Sequence, residues 1–319
     1  MAFSFSFGSE PVTPTIDMEN VAGMEGEGGE GGEGGEGVVV EEAREVVGTR
    51  ESRTDTLSKY LTDDAELDVV LIEPPPGRLT KMAFTKDDVT NLLDDTLADI
   101  VDTSDLAPGV YEGGLKVWEA TLDLIAILGE QSEDLEGALG TGAGAVLDLG
   151  CGHGLAGIFA LLCLQGVSSV TFQDYNADVL TMVVLENVRL NTTDDSALDP
   201  SKTTYLAGDW ATLPEIRGPD APLFDLIVSA ETIYSVASYP KLLHVIASTL
   251  APHGVALFAA KSYYFGVGGG VQDFMEYMEE NGFTTAILKT FSDNASIDRI
   301  VFSIRHRSDD DQGGNDDDE

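Results

Sequence analysis

The sequence predicts an α/β protein with a Rossmann-like sheet of five parallel strands and a C-terminal hairpin. Three observations support this prediction. Apolar runs of strand length alternate with segments of helical periodicity across residues 115–304. A turn with glycines at 150, 152 and 154 joins the first of these strands to a helix. The last two strands are separated by only a short turn, so we expect them to pair as an antiparallel hairpin.

Each element follows from its own pattern of side chains. Apolar residues recur at helical spacing in five segments, at 115–128, 155–164, 177–190, 239–250 and 271–281. The strands are short apolar runs bounded by polar residues or glycines. They lie at 145–149, 169–173, 203–206, 224–229, 254–260, 284–289 and 299–304. Because a helical segment or a polar insertion (191–202) separates the first five strands, these are expected to run parallel.

The composition divides the chain into four parts. Residues 1–55 form an acidic extension, in which residues 25–37 repeat glycine and glutamate almost without interruption, and residues 308–319 form a second acidic tail. Neither part can bury enough apolar surface to offset its chain entropy, so both are expected to be disordered. Residues 56–106 contain a triple proline and are expected to be an irregular lead-in. The folded domain is expected at 107–307.

The formal net charge is −40, from 57 acidic and 17 basic residues. The two acidic ends account for less than half of this charge, so the folded part is acidic too. A basic footprint for phosphates is missing, and direct nucleic-acid binding is not expected. An acidic surface suits a basic protein partner, although it is equally compatible with a role in solubility.

Other function classes are excluded by what the composition lacks. The two cysteines, at 151 and 163, offer neither a disulfide framework nor a zinc spacing, and the four histidines form no cluster, so no metal is expected. No basic, apolar leader is visible, and no apolar run is long enough to cross a membrane. The lack of a disulfide framework fits a reducing compartment. We expect a monomer in the cytoplasm and nucleus.

The turn Asp148-Leu-Gly-Cys-Gly-His-Gly154 carries the clearest functional signal. Its glycines let a ligand approach the backbone closely, and the following helix contributes partial positive charge. Residues 152–157 satisfy the dinucleotide fingerprint, whereas residues 148–154 satisfy the pattern common in S-adenosylmethionine enzymes. The turn therefore predicts an adenosine-containing cofactor without deciding which one.

Acidic residues at three successive strand ends favour such a ligand. Asp148 precedes the glycine turn and can face a cationic amino group. Asp174 ends the second strand, where a carboxylate can accept two ribose hydroxyls. Asp209 follows the third strand and can meet an adenine amino group, while Trp210 can stack on the ring. One such acid alone would favour a helix cap or a turn.

Two further segments outline an acceptor. The segment Glu231-Thr-Ile-Tyr234 follows the fourth strand, where a methyl acceptor would lie. Trp118 and Glu119, on the helix before the first strand, are expected near the sulfonium end of the cofactor instead. After the fifth strand come three consecutive aromatic residues and then a glycine run. A flexible rim loop is the simpler interpretation of glycines, but the aromatics favour the wall of an acceptor pocket. The residues of this predicted wall are Tyr263, Tyr264, Phe265, Gly268, Gly269 and Gly270.

Taken in order, these motifs resemble the eukaryotic histidine protein methyltransferases across residues 107–305. The resemblance rests on 109–119, the Asp148 turn, Phe172-Gln-Asp-Tyr-Asn176, Glu231-Thr-Ile-Tyr234 and 261–270. It implies the class I seven-stranded methyltransferase fold, with S-adenosylmethionine as cofactor. It also implies methylation of the tele nitrogen of a histidine in a large-ribosomal-subunit protein.

The resemblance also implies a set of cofactor contacts. These are Val117, Trp118, Glu119, Gly150, Gln173, Asp174, Tyr175, Gly208, Asp209 and Trp210, to which the turn itself adds Asp148, Cys151 and Gly152. The family typically has serine directly before the glutamate of the fourth strand's tip. This chain has Ser229-Ala230 there, and Ser229 is the candidate replacement.

The chemistry expected is an in-line methyl transfer to a nitrogen. A neutral imidazole is already nucleophilic at pH 7, so the site must mainly orient the ring and exclude water. Glu231 or Tyr234 is expected to hydrogen-bond the far ring nitrogen. Three alternatives stay open at this point: a lysine methyltransferase with the same Glu-x-x-Tyr element, an NAD-dependent oxidoreductase, and a non-catalytic ribosome-assembly module.

Overall fold

The computed structural model of the protein describes residues 44–45, 67–71, 78–82, 110–140, 143–191, 200–266, 268–292 and 297–307. Its strands are β1 (Arg44–Glu45), β2 (Leu67–Leu71), β3 (Arg78–Met82), β4 (Gly144–Leu149), β5 (Val167–Asp174), β6 (Thr203–Ala207), β7 (Phe224–Ala230), β8 (Leu250–Lys261), β9 (Phe283–Phe291) and β10 (Arg299–His306). Its helices are α1 (Glu119–Glu130), α2 (Ser132–Leu139), α3 (Leu155–Cys163), α4 (Leu185–Leu190), α5 (Leu213–Arg217), α6 (Tyr239–Thr249) and α7 (Val271–Glu280).

The central sheet has the strand order β1-β6-β5-β4-β7-β8-β10-β9. Strands β6, β5, β4, β7 and β8 run parallel, and β10 pairs antiparallel with both β8 and β9. The predicted five parallel strands and C-terminal hairpin are confirmed. β4 is the first of the parallel strands in chain order, and it lies between β5 and β7. The chain continues through β5 and β6 on one side and then through β7 and β8 on the other, so the strand order reverses at β4. Ligands of such sheets bind in the crevice at the carboxyl ends of the strands beside this reversal.

The N-terminal half of the chain contributes three short strands. Arg44 and Glu45, within the expected extension, pair antiparallel with β6. The edge of a sheet offers unpaired backbone N–H and C=O groups, and an extended segment can satisfy them. Within the expected lead-in, β2 and β3 pair with each other as an antiparallel ribbon. The remaining parts of both segments, and the expected tail 308–319, lie outside the described residues.

Three helical features differ from the sequence prediction. Residues 115–118 precede α1 rather than belonging to it, since Trp118 is extended (φ −87°, ψ 149°). Helices α2 and α5 are additional, and their eight and five residues are too short to show a clear helical period. The predicted helix 177–190 opens with a π-helical turn, Val179–Val184, before α4 begins.

Apolar side chains cover both faces of the sheet. On one face, α3 packs over β4 and β5, and α1 packs over β7, β8 and β10, with buried residues such as Phe159 and Leu124. On the other face, Phe274 of α7 packs against Phe258 and Phe302 of the sheet, with the three ring centroids 5.6–6.4 Å apart. Truncating a buried phenylalanine of this kind typically costs 3–5 kcal/mol, so the strand ends are held on a rigid support.

Candidate active site

A cavity of about 470 Å³ opens at the carboxyl ends of β4, β5, β6 and β7. Ligand sites for small molecules and cofactors commonly occupy about 300–1,000 Å³. The walls are the segment 112–118, the glycine turn after β4, the ends of β5 to β7, and the start of α6. The predicted cofactor contacts among its lining residues are Val117, Trp118, Asp148, Gly150, Cys151, Gly152, Asp174, Tyr175, Asp209 and Trp210.

The glycine turn after β4 is shaped by positive backbone angles. Gly150, Gly152 and Gly154 have φ values of 64°, 51° and 70°, a region that favours glycine. A Cβ atom at Gly150 would lie 2.6 Å from Cγ2 of Thr232, so a side chain there would fill the cavity floor. Cys151 N donates to the Gln173 carbonyl at 2.7 Å, which ties the turn to β5. Burial raises the pKa of the Cys151 thiol well above its ordinary value, so the thiol stays protonated.

Asp148 lies under the turn and is 3% exposed. Its Oδ2 accepts a hydrogen bond from the Gly157 N–H at 2.8 Å, in the first turn of α3. Burial raises the pKa of its carboxyl to about 8, although the bond from Gly157 opposes that shift. When a cationic group enters the cavity, its positive charge favours the ionised form of the Asp148 carboxyl. Asp148 then becomes a strong hydrogen-bond acceptor for that group.

Asp148 should make the stability of the cofactor-free protein depend on pH. Its pKa in the folded protein, about 8, lies above the ordinary value of 3.8, so folding favours the protonated form. The resulting contribution to the free energy of unfolding is complete below the ordinary pKa and is lost as the pH rises through about 8. We expect the melting temperature to fall more steeply between pH 5 and pH 8 in the wild-type protein than in Asp148→Asn. Melting curves that stay parallel across this range would contradict the prediction.

Asp174 ends β5 beside the cavity. Its Oδ2 accepts from Gly152 N at 2.9 Å, and its Oδ1 accepts from Asn176 N at 3.2 Å. Burial raises the pKa of this carboxyl to about 6, while these backbone donors oppose the shift. An ionised carboxylate has about four lone-pair directions, so each oxygen can still accept a hydroxyl from a ligand.

Four predicted cofactor contacts do not line the cavity: Gln173, Gly208, Ser229 and Glu119. Gln173 is fully buried and works as a support: its Oε1 accepts from Gly150 N (3.2 Å) and Trp210 Nε1 (2.8 Å), and its Nε2 donates to Gly208 O (2.8 Å). Gly208 is thereby held beside the cavity. Ser229 is also fully buried, and its Oγ donates to Leu149 O at 2.8 Å. Alternate side chains of a strand point to opposite faces of the sheet. The side chains of Gln173 and Ser229 point into the protein interior and not into the cavity.

Asp209 and Trp210 form the cavity wall after β6. Oδ1 of Asp209 caps the following 3₁₀ turn by accepting from Ala211 N at 2.8 Å. Its Oδ2 lies 2.6 Å from Nζ of Lys241, on α6. The bond from Trp210 to Gln173 fixes the indole with part of its surface toward the cavity. Asp209 is therefore largely satisfied within the protein, whereas the Trp210 ring remains a surface on which a flat base can stack.

Glu231 lines the cavity just after β7. It has φ 59°, and it is the one residue other than glycine with a positive φ among those the structure describes. Such strain costs about 1–3 kcal/mol and clusters at functional sites. The side chain is 8% exposed; its Oε2 accepts the hydroxyl of Tyr264, and its Oε1 has no hydrogen-bond partner within the described residues. Burial raises the pKa of this carboxyl, against the effects of Tyr264 and Lys261.

Tyr234 faces the same part of the cavity. Its hydroxyl donates to Oε2 of Glu112, a residue 122 positions earlier in the chain. Its ring meets that of Tyr264 edge to face, with centroids 6.5 Å apart. Burial raises the pKa of the Tyr234 phenol, and the nearby Glu112 carboxylate raises it further. Tyr234 therefore keeps its proton at neutral pH.

The predicted aromatic wall of the acceptor pocket is not observed. Tyr263 and Phe265 are exposed, at 47% and 78%, and they contact each other outside the cavity. Tyr264 packs behind Glu231 instead. The glycines hold this loop against the segment that follows β7: a Cβ at Gly269 would lie 2.2 Å from Ile233 O. The glycine run thus signals close backbone packing, which a sequence pattern alone does not distinguish from a flexible or pocket-lining loop.

Glu119 is also outside the cavity lining, and its carboxylate lies 3.9 Å from Lys261 Nζ. The structure adds lining residues that the sequence reasoning missed. They are Glu112, Gly113, Gly114, Lys116, Thr121, His153, Ala156, Ala230, Thr232, Ser235, Ala237, Ser238 and Lys241. The first four lie within the motif at 109–119, which was the available signal for them. No sequence motif pointed to Lys241, which reaches the cavity from α6.

Two searches of the described part of the chain gave negative results. No group of three or more His, Cys, Asp or Glu side chains there is arranged to hold a metal ion. None of its helices is both long and apolar enough to cross a membrane.

Comparison with known proteins gives a consistent set of similarities. A family model described as "Lysine methyltransferase" matches residues 108–281. "Histidine protein methyltransferase 1 homolog" of Dictyostelium discoideum is 38% identical over 209 residues, which cover 65% of this chain and 62% of that protein. The Bos taurus protein of the same name is 37% identical, covering 64% and 58%. "EEF1A lysine methyltransferase 3" of Mus musculus is 29% identical over 150 residues, covering 46% and 55%. The chain spans about three fifths of the length of the two histidine relatives.

Proposed function

This chain belongs to the lysine methyltransferase family, and on that premise we propose that it is an S-adenosylmethionine-dependent protein-histidine N-tele-methyltransferase. One observation carries the proposal. A single cavity combines the glycine turn and Asp174, which suit an adenosyl ligand, with Glu231 and Tyr234, which suit a nitrogen acceptor. The choice of histidine over lysine draws on the names of the relatives that are 37–38% identical.

The residues present fit the cofactor. Asp174 can accept the ribose hydroxyls, the Trp210 ring can stack on the base, and Asp148 can accept the cationic amino group. The absence of side chains at Gly150 and Gly152 leaves room for close approach of the ligand to the backbone. When bound, the cofactor supplies an electrophilic methyl group on a sulfonium.

The protein's own task is then to orient the acceptor and to stabilise charge. An imidazole with a pKa near 6.5 is mostly neutral at pH 7, so its nitrogen is nucleophilic without a strong base. Tyr234 or Oε1 of Glu231 can accept a hydrogen bond from the far N–H of the ring, which fixes the tautomer. The Glu231 carboxylate can also stabilise the positive charge that the ring acquires. The largely buried setting of both groups excludes water and strengthens these interactions.

The proposed substrate is a basic protein, specifically one of the large ribosomal subunit. The net charge of −40 supports a basic partner, because complementary charge speeds encounter. The proposed sites of action are the cytoplasm and nucleus, where ribosomal proteins are synthesised and assembled, and the proposed state is a monomer.

A lysine methyltransferase is the second candidate, and the family description favours it. A lysine amine has a pKa near 10.4 and must lose a proton before it can attack. Glu231, whose pKa is raised by burial, is the group that could assist in that step.

The test is incubation of the purified protein with methyl-labelled S-adenosylmethionine and large-subunit ribosomal proteins. Mass spectrometry of the labelled peptide should identify a histidine, and comparison with synthetic tele- and pros-methylhistidine should identify the nitrogen. Label on lysine would replace the proposal with the second candidate. Thermal stabilisation by S-adenosylhomocysteine without any transfer would favour a non-catalytic module, and stabilisation by NADH alone would favour an oxidoreductase.

A further inference from the structure

The segment that carries Glu112 is fixed across the mouth of the cavity by a small hydrogen-bond network. Asn176 Oδ1 accepts from Glu112 N at 3.2 Å, and its Nδ2 donates to Val110 O at 2.8 Å. Trp118 Nε1 donates to Gly113 O at 3.1 Å. A Cβ at Gly114 would lie 2.9 Å from Val179 Cγ2, so the segment also packs closely on the start of the π-helical turn. The backbone of Glu112 is therefore held in one place.

Tyr234 is held equally firmly from the other side. Its carbonyl accepts from Gly269 N at 3.2 Å, and the glycine loop can approach this closely only without a side chain at 269. Its ring packs edge to face on Tyr264, whose own hydroxyl donates to Glu231. Two tyrosines thus each direct their hydroxyl hydrogen at a carboxylate.

The direction of the Tyr234 hydrogen bond determines what its oxygen can do in the cavity. A phenol has one hydrogen to donate and two lone pairs with which to accept. With that hydrogen committed to Glu112, the oxygen can act toward the cavity only as an acceptor. A methyl-accepting group that carries an N–H can donate to this oxygen and therefore fits the arrangement. A Tyr234 hydroxyl free to rotate could instead donate to the lone pair of the attacking nitrogen and quench it.

We propose that Glu112 is a positioning residue that fixes Tyr234 as a hydrogen-bond acceptor for the N–H of the methyl-accepting group. The inference rests on the proposed function only in assuming a nitrogen acceptor, and it holds for an imidazole or an amine. Glu112 acts on the acceptor through Tyr234. Its charge also raises the pKa of the Asp174 carboxyl on the cofactor side, so the affinity for the cofactor is measured separately.

A double-mutant cycle on ligand binding tests this role. Imidazole and n-butylamine serve as probes for the histidine and lysine side chains, and their dissociation constants are measured by NMR titration with S-adenosylhomocysteine bound. Glu112→Ala and Tyr234→Phe should each weaken the bound probe about tenfold, the loss expected for a charge-assisted hydrogen bond. Together they should weaken it by no more than either alone. At pH 8, where the Asp174 carboxyl is ionised with or without Glu112, the affinity for S-adenosylhomocysteine should stay within twofold of the wild-type value.

The cycle includes a conservative variant and a charge control. Glu112→Gln keeps an oxygen that can accept the Tyr234 hydroxyl and should recover part of the lost affinity. Glu130→Ala removes a carboxylate that is paired with Lys289 on the far side of α1, and it should leave probe binding unchanged. Additive losses, an equal loss of S-adenosylhomocysteine affinity in Glu112→Ala, or binding of neither probe would overturn the inference. Binding of n-butylamine but not imidazole would instead refute histidine as the methyl acceptor. The double-mutant cycle of Glu112 and Tyr234 would then be measured with n-butylamine and would test the inference in the same way.

Discussion

Glu231→Gln is expected to lower kcat for methyl transfer about 100-fold while changing the S-adenosylhomocysteine dissociation constant less than threefold. The substitution keeps the size of the side chain and one acceptor oxygen but removes the negative charge. Removing one preorganised electrostatic group from a water-excluded site typically costs 10²–10³ in rate. Single-turnover transfer to the labelled substrate and calorimetric titration of S-adenosylhomocysteine give the two values.

Two backbone variants at the same position serve as controls for folding. Glu231 has φ 59°, a conformation in which glycine is not strained. Glu231→Gly should therefore be thermally more stable than Glu231→Ala, although both should be as inactive as Glu231→Gln or more so. Full activity of Glu231→Gln would show that the carboxylate charge has no part in transfer. An equal loss of cofactor affinity would place Glu231 on the cofactor side instead.

Asp174→Ala is expected to weaken cofactor binding by at least about 100-fold. The carboxylate supplies acceptors for Gly152 N and Asn176 N, so its loss leaves two backbone donors without partners and loosens the glycine turn. It also removes the proposed acceptor for the ribose hydroxyls. Hydrogen bonds to a charged group contribute about 1.5–3 kcal/mol each, and a tenfold change in affinity corresponds to 1.4 kcal/mol. Calorimetric titration with S-adenosylhomocysteine measures the loss.

Asp209→Asn is the matched comparison. Both oxygens of Asp209 are already engaged, by Ala211 N and Lys241 Nζ, so the loss of cofactor affinity should be below tenfold. A larger loss in Asp209→Asn than in Asp174→Ala would contradict the proposed arrangement of the adenosyl side. Because the pKa of the Asp174 carboxyl is raised to about 6, cofactor affinity should also fall more steeply below pH 6 in the wild-type protein than in Asp174→Ala.

The sequence predicted the sheet well because each strand and helix of the domain carries its own local signal. The hydrophobic runs of β4 to β8 and the helical period of α3, α6 and α7 are properties of neighbouring residues. Helices α2 and α5 were missed because eight and five residues give too few turns for a period to emerge. Strand β1 was missed for a different reason, since two residues acquire strand geometry only by pairing with β6.

The sequence indicated which segments surround the cavity, and the residues that the structure places elsewhere differ in side-chain orientation or in the path of their loop. The acids at the strand ends reach the cavity, but Gln173 and Ser229, their neighbours in sequence, point inward and support it. The aromatic residues at 263–265 have no local feature that tells which way their loop folds. Glu112 and Tyr234 are 122 positions apart, so nothing in either segment marks them as partners.

The sequence by itself determined the order and type of strands β4 to β10 and of helices α1, α3, α6 and α7. It also determined the glycine turn beneath the cavity and the acids at the ends of β4, β5 and β6. These follow from local periodicity and from the steric requirements of single residues. Only the tertiary structure decided which side chains face the cavity and that the Gly268–Gly270 run packs against the segment after β7. It also decided that Glu112 accepts the hydrogen bond from the Tyr234 hydroxyl. Those facts depend on close packing and hydrogen-bond geometry between segments distant in the chain, and such contacts leave no periodic pattern in the sequence.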